Sequence, residues 1–164
     1  LPRGPQIDRK LPTLKVSALG IYDGAVRHAI LSLKNGRRDV AEAFAERLRA
    51  RISANAIAVP VPTTAARRRQ RGFDGCELVA RLAFGSHVNA GLVQVRGETQ
   101  RGRGREARLI VRQRFIWRGP PLNGARVVLL DDVVTTGATL EACAATVRGA
   151  EGVVSEAWVI ATVP

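Results

Sequence analysis

Hydrophobic positions recur along this chain with helical spacing in some stretches and as short unbroken runs in others. In SALGIYDGAVRHAILSLKNG, Val26, Ile30 and Leu33 share one helical face, and Asn35-Gly36 is a helix-stop signal. In VAEAFAERLRARI, Val40, Phe44, Leu48 and Ile52 recur every fourth residue beside Ala41 and Ala45. Asp39 and Glu42 have capping-box spacing at its start. CELVARLAF predicts a helix with Leu78, Val79 and Leu82 inward, and TLEACAATVRGA one with Leu140, Ala144 and Val147 on a face.

Between these helices lie apolar runs that read as strands. AIAVPVP predicts a buried strand ending at Pro60 or Val61, because proline cannot continue a ladder. AGLVQV, RFIW and VVSEAWVIATV predict further strands, and RVVLL, with no polar alternation, a central strand covered on both faces. The first 50 residues predict an extended entry, a short strand and then helix. Strands alternating with helices imply an α/β fold with a mostly parallel sheet, in a single domain over residues 1–164. The stretch from Arg96 to about Gln113 fits neither period. It is long for a connection in a small domain and dense in arginine and glycine, which marks a lid or a disordered tract.

Composition narrows the partner. The 164 residues carry 26 Lys and Arg, nearly all arginine, against 14 acids, a formal net charge of +12. Such a balance suits a polyanion, either nucleic acid or a small multiply phosphorylated ligand. Aromatic content of 4% weakens any base-stacking platform. No apolar run reaches the length of a membrane span, and LPRGPQIDRKLPTLK lacks the apolar core of a signal peptide, so a cytoplasmic location is expected. Cys76 and Cys143 form no C-x-x-C pair and are expected to be buried small hydrophobes rather than zinc ligands. His28 and His87 have no nucleophile or metal partner at sensible spacing and are assigned no catalytic role.

The chemistry concentrates in VVLLDDVVTTGATL. Asp131 and Asp132 end the apolar run, at the carboxyl end of a strand, where open parallel sheets bind ligands. Behind them a tight turn opens a helix. Gly137 permits a conformation closed to other residues there, the backbone amides and Thr135, Thr136 and Thr139 offer donors, and the helix dipole favours an anion. Two aspartates would repel a bare phosphate. They are useful if each accepts hydrogen bonds from sugar hydroxyls, since an ionised carboxylate is acceptor-only. A ribose 5-phosphate with free 2- and 3-hydroxyls satisfies both halves, and a divalent cation would offset the charge. A Walker-B strand also ends in acids, but the chain has no G-x-x-x-x-G-K-[ST].

The string VVLLDDVVTTGAT resembles the phosphoribosyl-pyrophosphate (PRPP) motif of type I phosphoribosyltransferases. That resemblance implies ribose contacts for Asp131 and Asp132, and 5-phosphate contacts for Val134, Thr135, Thr136, Gly137, Ala138 and Thr139. VPVPTTAARRRQRGFDGCELVARLA, LKNGRRDVAEAFAERL and the stretch from RGETQRGRGREAR to Phe115 are similar to the ComF branch, whose members are linked to DNA uptake in competence. Asp74 and Ile110 stand where that family usually has asparagine. The resemblance implies a small N-terminal hood (1–50) and a PRPP-binding core (51–164). It implies a pyrophosphate loop of Pro62, Thr63 and Thr64, whose threonines present N–H groups, with Arg67 and Arg71 as cations and Lys34 as a weaker candidate. It also implies a flexible loop that closes on the ligand, bringing Arg101, Arg103, Arg105 or Arg108 to the pyrophosphate. Mg²⁺ would come with PRPP, with no protein ligand for the metal assigned. The expected function is a phosphoribosyltransferase. The alternative is a non-catalytic PRPP sensor, or a module that meets single-stranded DNA or a DNA-processing protein.

Overall fold

A computed structural model describes residues 6–53, 55–95 and 115–164. Arg101, Arg103, Arg105 and Arg108, and Ile110, lie outside the described residues.

Five strands form the main sheet: β1 (Ile7–Lys10), β2 (Lys15–Ala18), β3 (Ile57–Pro60), β6 (Arg126–Val134) and β7 (Val153–Thr162). Their order is β1-β2-β7-β6-β3, parallel throughout except for the antiparallel β1–β2 pair. β4 (Leu92–Gln94) and β5 (Phe115–Trp117) pair with each other as a separate antiparallel ribbon. The mostly parallel sheet and its flanking helices are those the alternation predicted.

Helices cover both faces. α1 (Gly24–Lys34), α2 (Arg38–Arg49) and α4 (Gly75–Phe84) pack on one side around Ile30, Leu33, Phe44, Leu48 and Val79, against Val128, Leu130, Trp158 and Ile160 of the sheet. α5 (Ala138–Gly149) and the ribbon pack on the other, where Leu140, Cys143, Val147, Leu92 and Phe115 meet Val127, Leu129 and Val159. Apolar side chains on both faces of β6 and β7 explain why their sequences show no alternation. The short helix α3 (Ala65–Arg71) carries no buried residue and ends at Gly72, whose φ of 77° is left-handed.

Several local expectations change. The extended entry is a β-hairpin whose first strand is charged and mostly exposed, so apolar periodicity could not reveal it. Asp8 ties the two strands together through Lys15 at 2.7 Å and Ser17 at 2.8 Å. The first 50 residues thus supply two strands at one edge of the sheet and two helices on one face. Asp39 does not cap α2. The N-cap is Arg37, which makes no side-chain cap bond, and its guanidinium engages both oxygens of Asp39 at 2.9 and 2.7 Å. Glu42 is likewise bonded to Arg38. In α4, Ala80 and Ala83 are buried with Val79, while Leu78 and Leu82 lie at the edge of that core, because small side chains let the helix approach its neighbours closely. Among the described residues no helix is long and apolar enough to cross a membrane.

Candidate functional site

β6 runs four residues past the apolar RVVLL, so Asp131 and Asp132 lie within the strand and the turn starts only at Thr135. Neighbouring residues of a strand ordinarily face opposite sides. Here Leu129 and Val134, five positions apart, both belong to the α5-side core, whereas Val133 packs on the other side. Both carboxylates nevertheless line a single cavity of about 200 Å³ at the carboxyl ends of β3 and β6.

The cavity brings together segments far apart in sequence. Pro62, Thr63, Thr64, Arg67 and Arg71 come from the end of β3 and from α3; Asp74, Gly75 and Cys76 from the start of α4; Lys34 from the end of α1. Gln94, Phe115 and Thr139 complete the wall. Of the turn residues expected at a phosphate, only Thr139 lines this cavity. Thr135, Thr136 and Ala138 are solvent-exposed beyond it. Val134 is in the core with its carbonyl bonded to Val163 N–H, so its side chain cannot reach a ligand.

The turn has the expected shape. Gly137 adopts a φ of 83° and heads α5. Among the described residues the amides of Thr135, Thr136 and Gly137 donate to no protein acceptor, while that of Ala138 reaches Thr136 Oγ1 at 3.3 Å. A side chain at Gly137 would run into Leu11, whose Cδ1 lies 2.5 Å from where a Cβ would stand. The β1–β2 hairpin braces the turn as well: Arg9 donates to the Thr135 carbonyl, and Thr13 N–H donates to Glu141 of α5 at 2.9 Å.

Electrostatics distinguish the two acids. Burial, and then the neighbouring Asp132, push the Asp131 carboxyl up to about 8, so it holds a proton at neutral pH. It still accepts the Asp132 N–H at 2.8 Å. Asp132 is paired with Lys34 at 2.6 Å. The expectation of two alike acceptors therefore changes: the Asp131 carboxyl is held well above the usual carboxylate range, and Asp132 is balanced by an internal cation. Cys76, expected to be a buried hydrophobe, is half-buried against this cluster, its Sγ 4.0 Å from Asp131 Oδ1. Burial and the carboxylates Asp132, Asp131 and Asp74 raise its thiol well above the ordinary range, which keeps it protonated and a poor nucleophile. Cys143 is buried in the α5-side core.

Asp74 explains one departure from the resembled pattern. Its Oδ1 caps α4 through the amides of Cys76 and Glu77 at 3.0 and 3.2 Å, and its Oδ2 accepts Thr63 N–H at 2.8 Å. The Thr63 amide expected to face a ligand is thus already used, and the Thr64 hydroxyl is spent capping α3 through Arg67 N–H. An asparagine at 74 could keep the cap but would turn an NH₂ donor toward Thr63 N–H. Asp74→Asn is accordingly expected to destabilise the fold by about 1.5 kcal/mol and to loosen the Pro62–Thr64 segment. Urea denaturation, with amide exchange at Thr63, measures both, and unchanged protection of the Thr63 amide would refute the assignment.

His28 Nδ1 lies 2.8 Å from the Gly24 carbonyl within α1, and His87 sits in a 3-10 turn after α4; neither lines the cavity. Among the described residues, no group of three or more His, Cys, Asp or Glu could hold a metal ion.

No protein-family model matches the chain. Over 85 residues, 51% of the chain, it is 33% identical to a curated bacterial protein. That relative is the competence protein ComFC of Bacillus subtilis (strain 168). The aligned stretch covers 35% of the relative's length, so the chain spans about a third of it. The likeness agrees with the ComF resemblance read from the sequence.

Proposed function

We propose that this cavity binds PRPP, or a related ribose 5-phosphate, and that the protein is a phosphoribosyltransferase of the ComF type. The observation that carries the reading is the meeting, in one cavity, of the acid pair of β6 with the proline-threonine segment and arginines that follow β3. Asp131 and Asp132 would take the ribose hydroxyls. The amides and hydroxyls of Thr135, Thr136, Gly137, Ala138 and Thr139 would take the 5-phosphate, and Arg67 and Arg71 the pyrophosphate through bidentate contacts. Any Mg²⁺ would be held chiefly by the ligand's own phosphate oxygens, because Asp74 is spent on three amides and Asp132 on Lys34. The metal would supply charge neutralisation to the departing pyrophosphate.

In such a reaction an acceptor nitrogen forms a bond to the anomeric carbon as the carbon–oxygen bond to pyrophosphate breaks, and the electron pair leaves with pyrophosphate. The chain contributes orientation and charge: the acids fix the sugar, the turn fixes its phosphate, and the arginines stabilise the leaving group. The similarity to competence protein ComFC supports a role linked to DNA uptake. A second reading, a module that meets single-stranded DNA, is favoured by one feature. Arg67, Arg68, Arg69 and Arg71 of α3 are all solvent-exposed beside the cavity.

Titration calorimetry with PRPP and Mg²⁺ tests the first reading. Asp131→Asn/Asp132→Asn should weaken binding about 100-fold, the loss expected for two hydrogen bonds to charged or strongly polarised groups. Equal affinity for both proteins would end the ribose assignment. Pyrophosphate release across nucleobases and ammonia then identifies the acceptor. The DNA reading requires single-strand affinity that falls steeply with salt.

A further inference from the structure

Lys34 enters the cavity from a helix end that the fold holds firmly. Leu33, 1% exposed, is seated against α4 so tightly that a Cβ on Gly75 would stand 3.3 Å from its Cγ. Past Lys34 the chain reverses, as the amides of Asn35, Gly36 and Arg37 close on the carbonyls of Leu31, Ser32 and Leu33. The last turn of a helix favours a cation, so the ammonium is stabilised at this point by more than one neighbour. Its side chain is 30% exposed and its partner Asp132 is 23% exposed, which leaves the pair sheltered yet open to exchange.

Asp132 cannot give the same oxygen to Lys34 and to a sugar hydroxyl in full strength. A ligand that takes Asp132 Oδ2 releases an ammonium inside a cavity that Thr63, Thr64, Arg67 and Arg71 also line. A lysine head is a compact point charge on a flexible stem, suited to such a move. We infer that Lys34 is a ligand-binding residue of this cavity: it is the counter-ion of Asp132 in the free protein and passes to the pyrophosphate oxygens when sugar hydroxyls occupy the carboxylate. This rests on the PRPP reading above. It gives the basic wall a third cation, from the end of α1, and it explains how an acid placed for a diol is balanced by a neighbouring cation.

The test is calorimetry on the whole chain with three separate probes, each with Mg²⁺: inorganic pyrophosphate, ribose 5-phosphate and PRPP. Lys34→Gln should bind PRPP about tenfold more weakly, the scale of one lost charge-assisted hydrogen bond, and inorganic pyrophosphate, which leaves Lys34 on Asp132, with a smaller loss. It should bind ribose 5-phosphate no more weakly than wild type, because Asp132 no longer has to be freed. Lys34→Arg should stay within about threefold of wild type for PRPP, since charge and reach are kept. Lys34→Met, which keeps the aliphatic stem, gives the same comparison should the glutamine variant fold poorly. If all three probes weaken alike, Lys34 acts only on the fold and the inference is wrong. If wild type binds the probes and Lys34→Gln binds PRPP equally well, the inference alone fails. If wild type binds none of them, the PRPP reading fails and takes this inference with it.

Discussion

Asp131→Asn is expected to melt at a higher temperature than the wild type at pH 8.5 and, on the proposed PRPP reading, to bind PRPP about tenfold more weakly. The sign follows from the raised carboxyl. In the unfolded chain Asp131 ionises near its ordinary value of 3.8, whereas in the fold it holds its proton to about 8. Between those values the folded state binds more protons than the unfolded state, so this residue removes stability as pH rises through the window. Below about pH 4 both states hold the proton and the effect vanishes; above about pH 8 the whole penalty is present. Asparagine keeps an oxygen for the Asp132 amide, which Asp131 Oδ1 accepts at 2.8 Å, and carries no charge at any pH. With the cavity open to water on one side, the gain above pH 8 should be about 2 kcal/mol, or about 5 °C in Tm. Thermal melts of both proteins at pH 4, 6 and 8.5 measure it. Stability curves that run parallel across this range would show that Asp131 is not held neutral by its surroundings. A residue whose replacement stabilises the fold and weakens binding is one retained for its chemistry.

The second large effect concerns the turn behind the acids. Gly137→Ala should cost about 3 kcal/mol, combining a left-handed backbone unfavourable to any side chain with the displacement of a buried leucine. The Gly137 φ is 83°, and a Cβ there would come within 2.5 Å of Leu11 Cδ1 and 3.2 Å of its Cγ. Leu11 cannot simply swing out, because it is 6% exposed within the core shared by Leu14, Val59 and Leu140. Combining Gly137→Ala with Leu11→Ala should therefore restore part of the loss, with at least about 1 kcal/mol of coupling in a double-mutant cycle. Chemical denaturation of the four proteins gives that number; strictly additive losses would mean the leucine does not set the requirement for glycine.

These two residues also separate what was readable in one dimension from what was not. The need for glycine at 137 was legible, since an acid-tipped strand entering a helix through a small-residue turn demands a left-handed position. The neighbour that enforces it was not. Leu11 lies more than a hundred positions away, on a hairpin whose exposed, charged first strand has no periodicity to betray it. The same holds for Asp74 and Thr63. Each was visible as a residue of interest, but the bond between them exists only because α4 begins where β3 ends. Asp39 shows the converse failure: its spacing fitted a cap, and an adjacent arginine took the carboxylate instead.

By itself the sequence determined most of the elements, though not the charged β1 or the exposed α3, because helix and strand periods, stop signals and short buried runs are local properties of the chain. It also located the candidate site's acid pair and turn, since these are contiguous. Tertiary structure alone decided the rest. It inserted the last strand, β7, between β2 and β6, paired the N-terminal hairpin with the sheet edge, and brought both aspartates to one cavity. It also set Lys34 against Asp132 and left one carboxyl protonated. Each of those depends on distances between segments remote in sequence, and on how much water reaches the point where they meet, neither of which a string of residues encodes locally.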